Sequence, residues 1–433
     1  MRATIAKYWA IPLLRRLFIG AGWGVVGSGF SRLLGLTSTI IIARILGVEN
    51  FGQLMILQST LGMFGIFAGL GLGVVATKFT AELKVRNAQR LGRILTLIEH
   101  TAIIGGVLIT IILILNSNII AIQIMHVPHL AGMIALASIS VVFATVDGYN
   151  NAALLGFEAV RQSVLGTLIA GLLSIPLSII LTWHYGLQGA VYGIVLASIL
   201  QCSISNWVLG KMLKKHSIKY NRVSLVEWKI LRDYALPALL GGVMVAPVHW
   251  LCQVLLINTP NGVVEMAILG IGLQWYQAVY FFPLAFGRIV LPVITDAIAG
   301  GQHKNANLIL KTSIIANAII ALPVALVIII LSHWIMKMYG IYNTNAWLVL
   351  SLTVTAATIS ATCAPVGQIL IAKGNLWIGW LMNLGWALIF ISASYSLLSF
   401  GAVGVATGLA LAYFVHTIWT SIWVLRNFKR KEI

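Results

Sequence analysis

One arginine, Arg32, stands alone in an apolar stretch running from residue 17 to residue 43. Arg16 precedes it by 16 residues and Arg44 follows it by 12, so on a helix it lies about 24 and 18 Å from the two charged flanks. That is too deep for the side chain to snorkel readily to water. Charge in hydrocarbon is costly enough that such a residue faces a wet cavity or a partner. A guanidinium offers a planar, bidentate fork that suits phosphate, so Arg32 reads as an anchor for an anionic head group. A buried ion pair with a neighbouring helix is the alternative. Arg288 also falls inside an apolar stretch, but Asp296 follows eight residues later, and its side chain has the further option of reaching the interface.

Asp147, Asn150 and Asn151 are spaced i, i+3 and i+4 and therefore share one helix face. Glu99 and His100 lie just inside another apolar stretch, and His249 is followed one turn later by Gln253. Carboxylates so placed can carry protons or balance a cation, since burial raises a carboxyl pKa and an adjacent positive charge lowers it. Glu99, Asp147, Asn151 and His249 are thus candidates for a coupling or cavity role, against the plainer reading of an interhelical hydrogen-bond cluster. Gln274, Trp275 and Tyr276, followed by Tyr280, Phe281 and Phe282, combine aromatic faces with amides, as a glycan path would. Interfacial belts and packing use the same residues. Neither a Ser-His-Asp arrangement nor a metal-ligand spacing stands out, and Cys202, Cys252 and Cys363 all fall within apolar stretches, so no disulfide framework, metal or cofactor is expected.

These residues are carried by twelve apolar stretches of membrane-spanning length: 17–43, 52–77, 92–115, 131–155, 161–183, 188–209, 235–257, 265–290, 308–332, 346–371, 376–398 and 402–425. The fold class expected is an all-α polytopic membrane protein. Of 28 Lys and Arg, 24 fall on one set of alternate connections, and only Arg44 and Lys337 fall on the other. The positive-inside rule then puts both termini in the cytoplasm. Because six stretches precede the longest basic connection and six follow it, the chain divides into a six-helix lobe over 1–210, a cytoplasmic connection over 211–234 and a second six-helix lobe over 235–433. An even number in each half gives both the same orientation, as in a parallel duplication.

Composition removes other classes. With 60% hydrophobic and 9% charged residues, the chain lacks the charged surface, about a quarter of all residues, that a soluble globule needs. The formal charge of +18 is spread over helix ends rather than gathered on one domain, so topogenesis accounts for it and nucleic acid is not an expected partner. No GxxxxGK[ST] segment is present, which leaves no ATP site, and the short external connections leave no room for an outer-face catalytic domain. The residues before Leu17 lack the apolar run and small-residue cleavage site of a signal peptide, so the first stretch is expected to be a retained helix. A transporter is expected rather than an enzyme.

ARILGVENFG (43–52), FAGLGLGVVATKFTAEL (67–83) and RLGRIL (90–95), with weaker agreement at FFPLAFGRIVLPVI (281–294) and IAKGN (371–375), resemble the polysaccharide repeat-unit flippases of the Wzx type. Their superfamily also holds MATE drug exporters and lipid II flippases. The resemblance implies a MATE-like pair of six-helix lobes around a central cavity in the bacterial inner membrane. It further implies movement of a glycan linked to undecaprenyl pyrophosphate from the cytoplasmic to the periplasmic leaflet, for O-antigen or another surface polysaccharide. Partners would be the lipid-linked oligosaccharide, membrane lipid and other polysaccharide-assembly proteins. In related flippases, cavity arginines of the first and eighth helices handle the pyrophosphate, and Arg32 and Arg288 occupy comparable stretches. The alternative is a cation-coupled multidrug exporter of the MATE type, which would more naturally carry a carboxylate on the first helix, where this chain has Arg32.

Overall fold

In the computed structural model, residues 12–223, 225–236, 238–239, 243–300, 302–343, 345–372 and 376–429 are described. The helices are α1 (Pro12–Gly69), α2 (Leu72–Arg86), α3 (Ala88–Asn118), α4 (Ala131–Gly156), α5 (Val160–Lys215), α6 (Val245–Ile257), α7 (Gly262–Ala299), α8 (His303–Met338), α9 (Ala346–Ala372), α10 (Leu376–Ser396) and α11 (Ala402–Lys429). No strand occurs among the described residues. Eight helices are long and apolar enough to cross a membrane by length and composition. Two of these, α1 and α5, are each interrupted at a glycine whose backbone is not helical: Gly47 (φ 73°, ψ 170°) and Gly186 (φ 57°, ψ −133°). Each is therefore a pair of passes joined by a sharp turn. Apart from the second and the seventh, the expected stretches fall on a helix or on half of one, as an all-α polytopic fold requires; of the seventh, 235–257, α6 covers only Val245–Ile257, and residues 237 and 240–242 lie outside the described residues.

The second stretch is divided between two helices. Its helix ends at Gly69, Leu70 (φ 44°) and Gly71 (φ 68°) turn the chain in left-handed backbone, and a separate helix, α2, begins at Leu72. The GLGLG run is therefore a bend, and Gly71 is suited to it because a residue without Cβ takes positive φ at little cost. Small residues four apart permit close helix approach at Gly65, Gly69 and Gly73; among the described residues nothing stands within 4 Å of a Cβ built at the first two, whereas one at Gly73 would meet the Ala152 side chain at 3.6 Å.

By contact the chain forms two compact units. Unit 1 comprises 1–39, 60–123 and 127–243; unit 2 comprises 40–59, 124–126 and 244–433. In unit 1, α4 packs against α2, α3 and α5, around a core that includes Leu72, Phe79, Ile94, Ile98, Tyr149, Leu154 and Leu209. The chain after α5 folds back onto this core rather than hanging free, with Ile218 and Ile230 buried in it. Asn221 donates its backbone N–H to Thr96 Oγ1 at 3.3 Å, and the buried Glu227 carboxylate lies 3.6 Å from both Arg90 Nε and Arg93 Nε.

In unit 2, α9 packs against α7, α8 and α11, while α10 packs against α11 and α6. Residues 40–59, the turn of α1, belong to this unit. Arg44 donates to the carbonyl oxygens of Met338 (2.7 Å) and Lys337 (2.5 Å), at the C-terminus of α8, where carbonyls lack helical partners and a cation is favoured. Gly52 is required by space, since a Cβ there would collide with the backbone carbonyl of Val263.

Candidate functional site

The polar residues of unit 1 assemble from four segments. On α4, Asn151 Nδ2 donates to Asp147 Oδ1 at 2.9 Å and to the Asp147 carbonyl at 3.1 Å, the consequence of their i, i+4 spacing. Ser163, from the first turn of α5, donates to Asn151 Oδ1 at 2.7 Å. Asn150 points to another part of α5, where its Nδ2 donates to Ser205 Oγ at 3.1 Å. Asp147 also hydrogen-bonds to the Ser205 and Gln201 side chains, and Gln201 Nε2 reaches Thr167 Oγ1 at 3.3 Å. Asp147 and Asn151 are half-buried and Asn150 is fully buried.

Glu99 joins the network's margin. It hydrogen-bonds to Tyr220, whose hydroxyl lies 3.3 Å from that of the buried Tyr149. Tyr220 belongs to the connection beyond α5, outside the spans. Partial burial, reinforced by the Glu99 carboxylate, pushes its phenol up to about 12, so it stays protonated and can donate to Glu99 across the physiological range. Sequence reasoning found Asp147, Asn151 and Glu99 but missed Tyr149, Tyr220, Ser163, Gln201 and Ser205. Gln201 and Ser205 are themselves one turn apart, the same signal that exposed Asp147 and Asn151.

Unit 2 holds a different assembly. Tyr276 of α7 stacks between Tyr280 (5.9 Å, 21°) and Tyr413 of α11 (6.0 Å, 27°), and Ser360 of α9 hydrogen-bonds to this tyrosine group. Trp386 of α10 lies 5.4 Å from Tyr413 and 5.6 Å from Phe390. His249 of α6 completes the chain of rings, 5.7 Å from Trp386 and 5.2 Å from Phe390. Tyr276 and Trp386 are buried, and the Trp386 indole N–H has no acceptor among the described residues. Gln274 and Trp275 are half-buried, and Gln274 Nε2 contacts Met55 Sδ at 3.4 Å. His249 and Tyr276 therefore meet in the interior of unit 2, while Gln274 and Trp275 point elsewhere on α7.

Arg32 is exposed on α1 and makes an interaction of its own. The helix runs without a break from Pro12 to Leu46, so Arg32 is separated from Arg16 and Arg44 by continuous helix. Arg288 lies on α7; its side chain is outside the described residues. No group of three or more His, Cys, Asp or Glu that could hold a metal occurs among the described residues.

The family described as polysaccharide biosynthesis protein matches residues 17–298, well over half of the chain. The chain belongs to this family. The MatE family matches residues 237–375. Among curated relatives, the EPS I polysaccharide export inner membrane protein EpsE of Ralstonia nicotianae is 23% identical over 411 residues, 93% of this chain and 91% of that one. Its namesake from Ralstonia solanacearum is 26% identical over 196 residues, 44% of either chain. Among solved structures, an inward-facing multidrug resistance MATE transporter of the MOP superfamily superposes with a TM-score of 0.74 at 15% identity, covering 92% of this chain and 95% of that one. The lipid II flippase MurJ, in an inward closed conformation, also gives 0.74 at 15% identity, over 94% and 88%. The fold is therefore MATE-like, and this member of the polysaccharide biosynthesis family is a multi-pass membrane protein.

Proposed function

We propose that this chain is a transporter and not an enzyme: a flippase that moves undecaprenyl-pyrophosphate-linked oligosaccharide repeat units from the cytoplasmic to the periplasmic leaflet by alternating access, for O-antigen or another surface polysaccharide. Membership of the polysaccharide biosynthesis family over residues 17–298 carries this reading, and the transporter-type fold and the intramembrane Arg32 support it. The physical task is to shield a charged pyrophosphate and its hydrophilic sugars while the polyprenyl tail stays in lipid. Carrying those groups bare through hydrocarbon would cost several kcal/mol for each unpaired polar group. In this reading Arg32 grips the pyrophosphate, Arg288 assists, and the termini face the cytoplasm beside the basic connections. Reporter fusions to each terminus test the orientation.

Deletion of the gene, in a host without a redundant flippase, should accumulate lipid-linked repeat units in the cytoplasmic leaflet; normal surface polysaccharide in that strain removes the proposal. Arg32→Ala should abolish most complementation at ordinary membrane abundance, whereas Arg32→Lys should keep part of it, because charge persists but the bidentate fork is gone. If Arg32 serves a structural ion pair instead, Arg32→Ala leaves a carboxylate unpaired at about 3–5 kcal/mol, and abundance falls along with transport. The MatE match over 237–375 favours one second reading, a cation-coupled drug exporter. Under it, expression changes drug resistance and leaves surface glycan intact.

A further inference from the structure

Three connections of unit 2, which the charge distribution assigns to the side opposite the basic connections, line a cleft of about 680 Å³. They join α6 to α7, α8 to α9 and α10 to α11. Ligand sites are commonly clefts of about 300–1,000 Å³ with a few placed polar groups on an otherwise apolar wall, and this one has that character. Thr259, Asn261, Asn345 and Ser399 line it beside Phe400 and Glu265. Phe400 is 65% exposed, an aromatic face presented next to hydroxyls and amides.

The walls are fixed by their own turns. Gly262 N–H donates to the Thr259 carbonyl at 2.9 Å, with Asn261 in left-handed backbone (φ 60°). Asn343 Oδ1 accepts from the Asn345 N–H at 3.0 Å. Glu265 Oε2 accepts the Ala402 N–H at 2.7 Å, tying the start of α7 to that of α11. Gly401 (φ 61°) leaves room for this carboxylate, which a Cβ there would press at 2.6 Å. Loops held in this way on a rigid scaffold are where binding residues concentrate.

The lining chemistry selects among ligands. Amides and hydroxyls both donate and accept, which matches a polyhydroxylated ring. Among the described residues the lining has neither Lys nor Arg, so these offer nothing to a pyrophosphate. Its one carboxylate already accepts a backbone N–H, which leaves a poor cation site. Four polar side chains in the wall disfavour a purely apolar drug.

We propose that this cleft binds a short run of sugar rings, as a docking site for the oligosaccharide on the face where it emerges. The proposal rests on the flippase reading and deepens it: Arg32 would hold the charged head group, and the cleft would hold the glycan.

The test uses full-length protein carrying Ser399→Cys, probed with a membrane-impermeant maleimide. The wild-type chain, whose cysteines lie within spans, gives the background. In spheroplasts the new thiol should be labelled from outside. In purified protein, oligosaccharide released by mild acid from the host's own lipid-linked pool should slow the labelling several-fold. Adding Phe400→Ala, a change at an exposed ring that should not disturb folding, should abolish the protection and reduce complementation. Absence of labelling from outside, absence of protection, or equal protection by glycerol at the same mass concentration would each overturn the site. Failure of the flippase reading is separate, since it appears as normal surface polysaccharide in the deletion strain. A deletion that does trap lipid-linked units, together with full complementation by Phe400→Ala, sinks the cleft alone.

Discussion

Beside an apolar core in each, the interior of unit 1 carries a network of directional polar bonds and that of unit 2 a chain of ring contacts. In unit 1, Asp147, Asn150 and Asn151 of α4 are tied to Ser163, Gln201 and Ser205 of α5. In unit 2, six aromatic rings from α6, α7, α10 and α11 run from His249 to Tyr280. Both units must hold helices together in lipid, where apolar side chains gain little by leaving one hydrocarbon environment for another. The remaining resources are hydrogen bonds and tight packing, and each unit leans on a different one. The first should therefore be sensitive to polarity at constant volume, and the second to volume at constant polarity.

The largest effect is expected in the ring assembly. Trp386 is buried and touches three other rings, so Trp386→Ala removes those contacts and leaves a cavity. In water-soluble cores such truncations cost about 3–5 kcal/mol. Here the low end, about 3 kcal/mol, is expected, because the water-transfer part is missing while the lost dispersion contacts remain. Trp386→Phe should recover most of it. Thermal stability of the purified protein in detergent measures both, and an unchanged midpoint for Trp386→Ala would show that ring packing does not hold unit 2.

A smaller effect should follow from the polar network. Asp147→Leu keeps the approximate volume but takes the side-chain acceptor from Asn151 Nδ2 and the carboxylate partner from Ser205 and Gln201, at about 1–2 kcal/mol for membrane hydrogen bonds of this kind. Asp147→Asn removes charge while keeping an acceptor, so stability should stay close to that of the natural chain. Transport then separates the two sequence readings of this residue. Loss of transport in a stable Asp147→Asn protein marks a coupling carboxylate, whereas retention marks a structural one.

How far these regions were legible in the sequence follows from the range of each signal. The apolar stretches were readable because hydrocarbon thickness fixes their length. The bend at Leu70 and Gly71 was not, because the first residues of α2, Leu72 to Ala76, are as apolar as the span before it and the pattern runs on. Asp147 and Asn151 were readable from helical spacing. Their bonds to Ser163 and Ser205 were not, since those depend on how α5 packs against α4. In unit 2 the aromatic content was plain, but Tyr276 and Trp386 are 110 residues apart, and only the fold brings both onto Tyr413. Glu227 was invisible as a buried partner of Arg90 and Arg93 because its segment read only as a cytoplasmic connection, and its pairing depends on how that connection folds back.

The smallest expected effect lies at the margin of unit 1, where its charged groups meet water. His216, the residue that ends α5, stacks on Phe157 at 5.1 Å. Burial, followed by the positive charges of Lys215 and Lys84, holds its pKa below the ordinary 6.5. Lys84 is itself paired with Glu158 at 2.7 Å, which tempers its effect on the ring. The folded chain thus prefers the neutral imidazole, and the unfolded chain takes up the proton first as pH falls. Stability from this group is full above about 6.5 and declines as pH drops below it. Between pH 7.5 and 5.5 the natural chain should lose a little thermal stability that His216→Phe, which keeps the stack and cannot titrate, does not lose. The two proteins differ only at this ring, so the difference between them isolates the imidazole. Equal losses in both would place the acid sensitivity elsewhere. A loss confined to the natural chain would show that the margin of unit 1 answers to charge just as its interior answers to polarity, while the rings of unit 2 answer to volume.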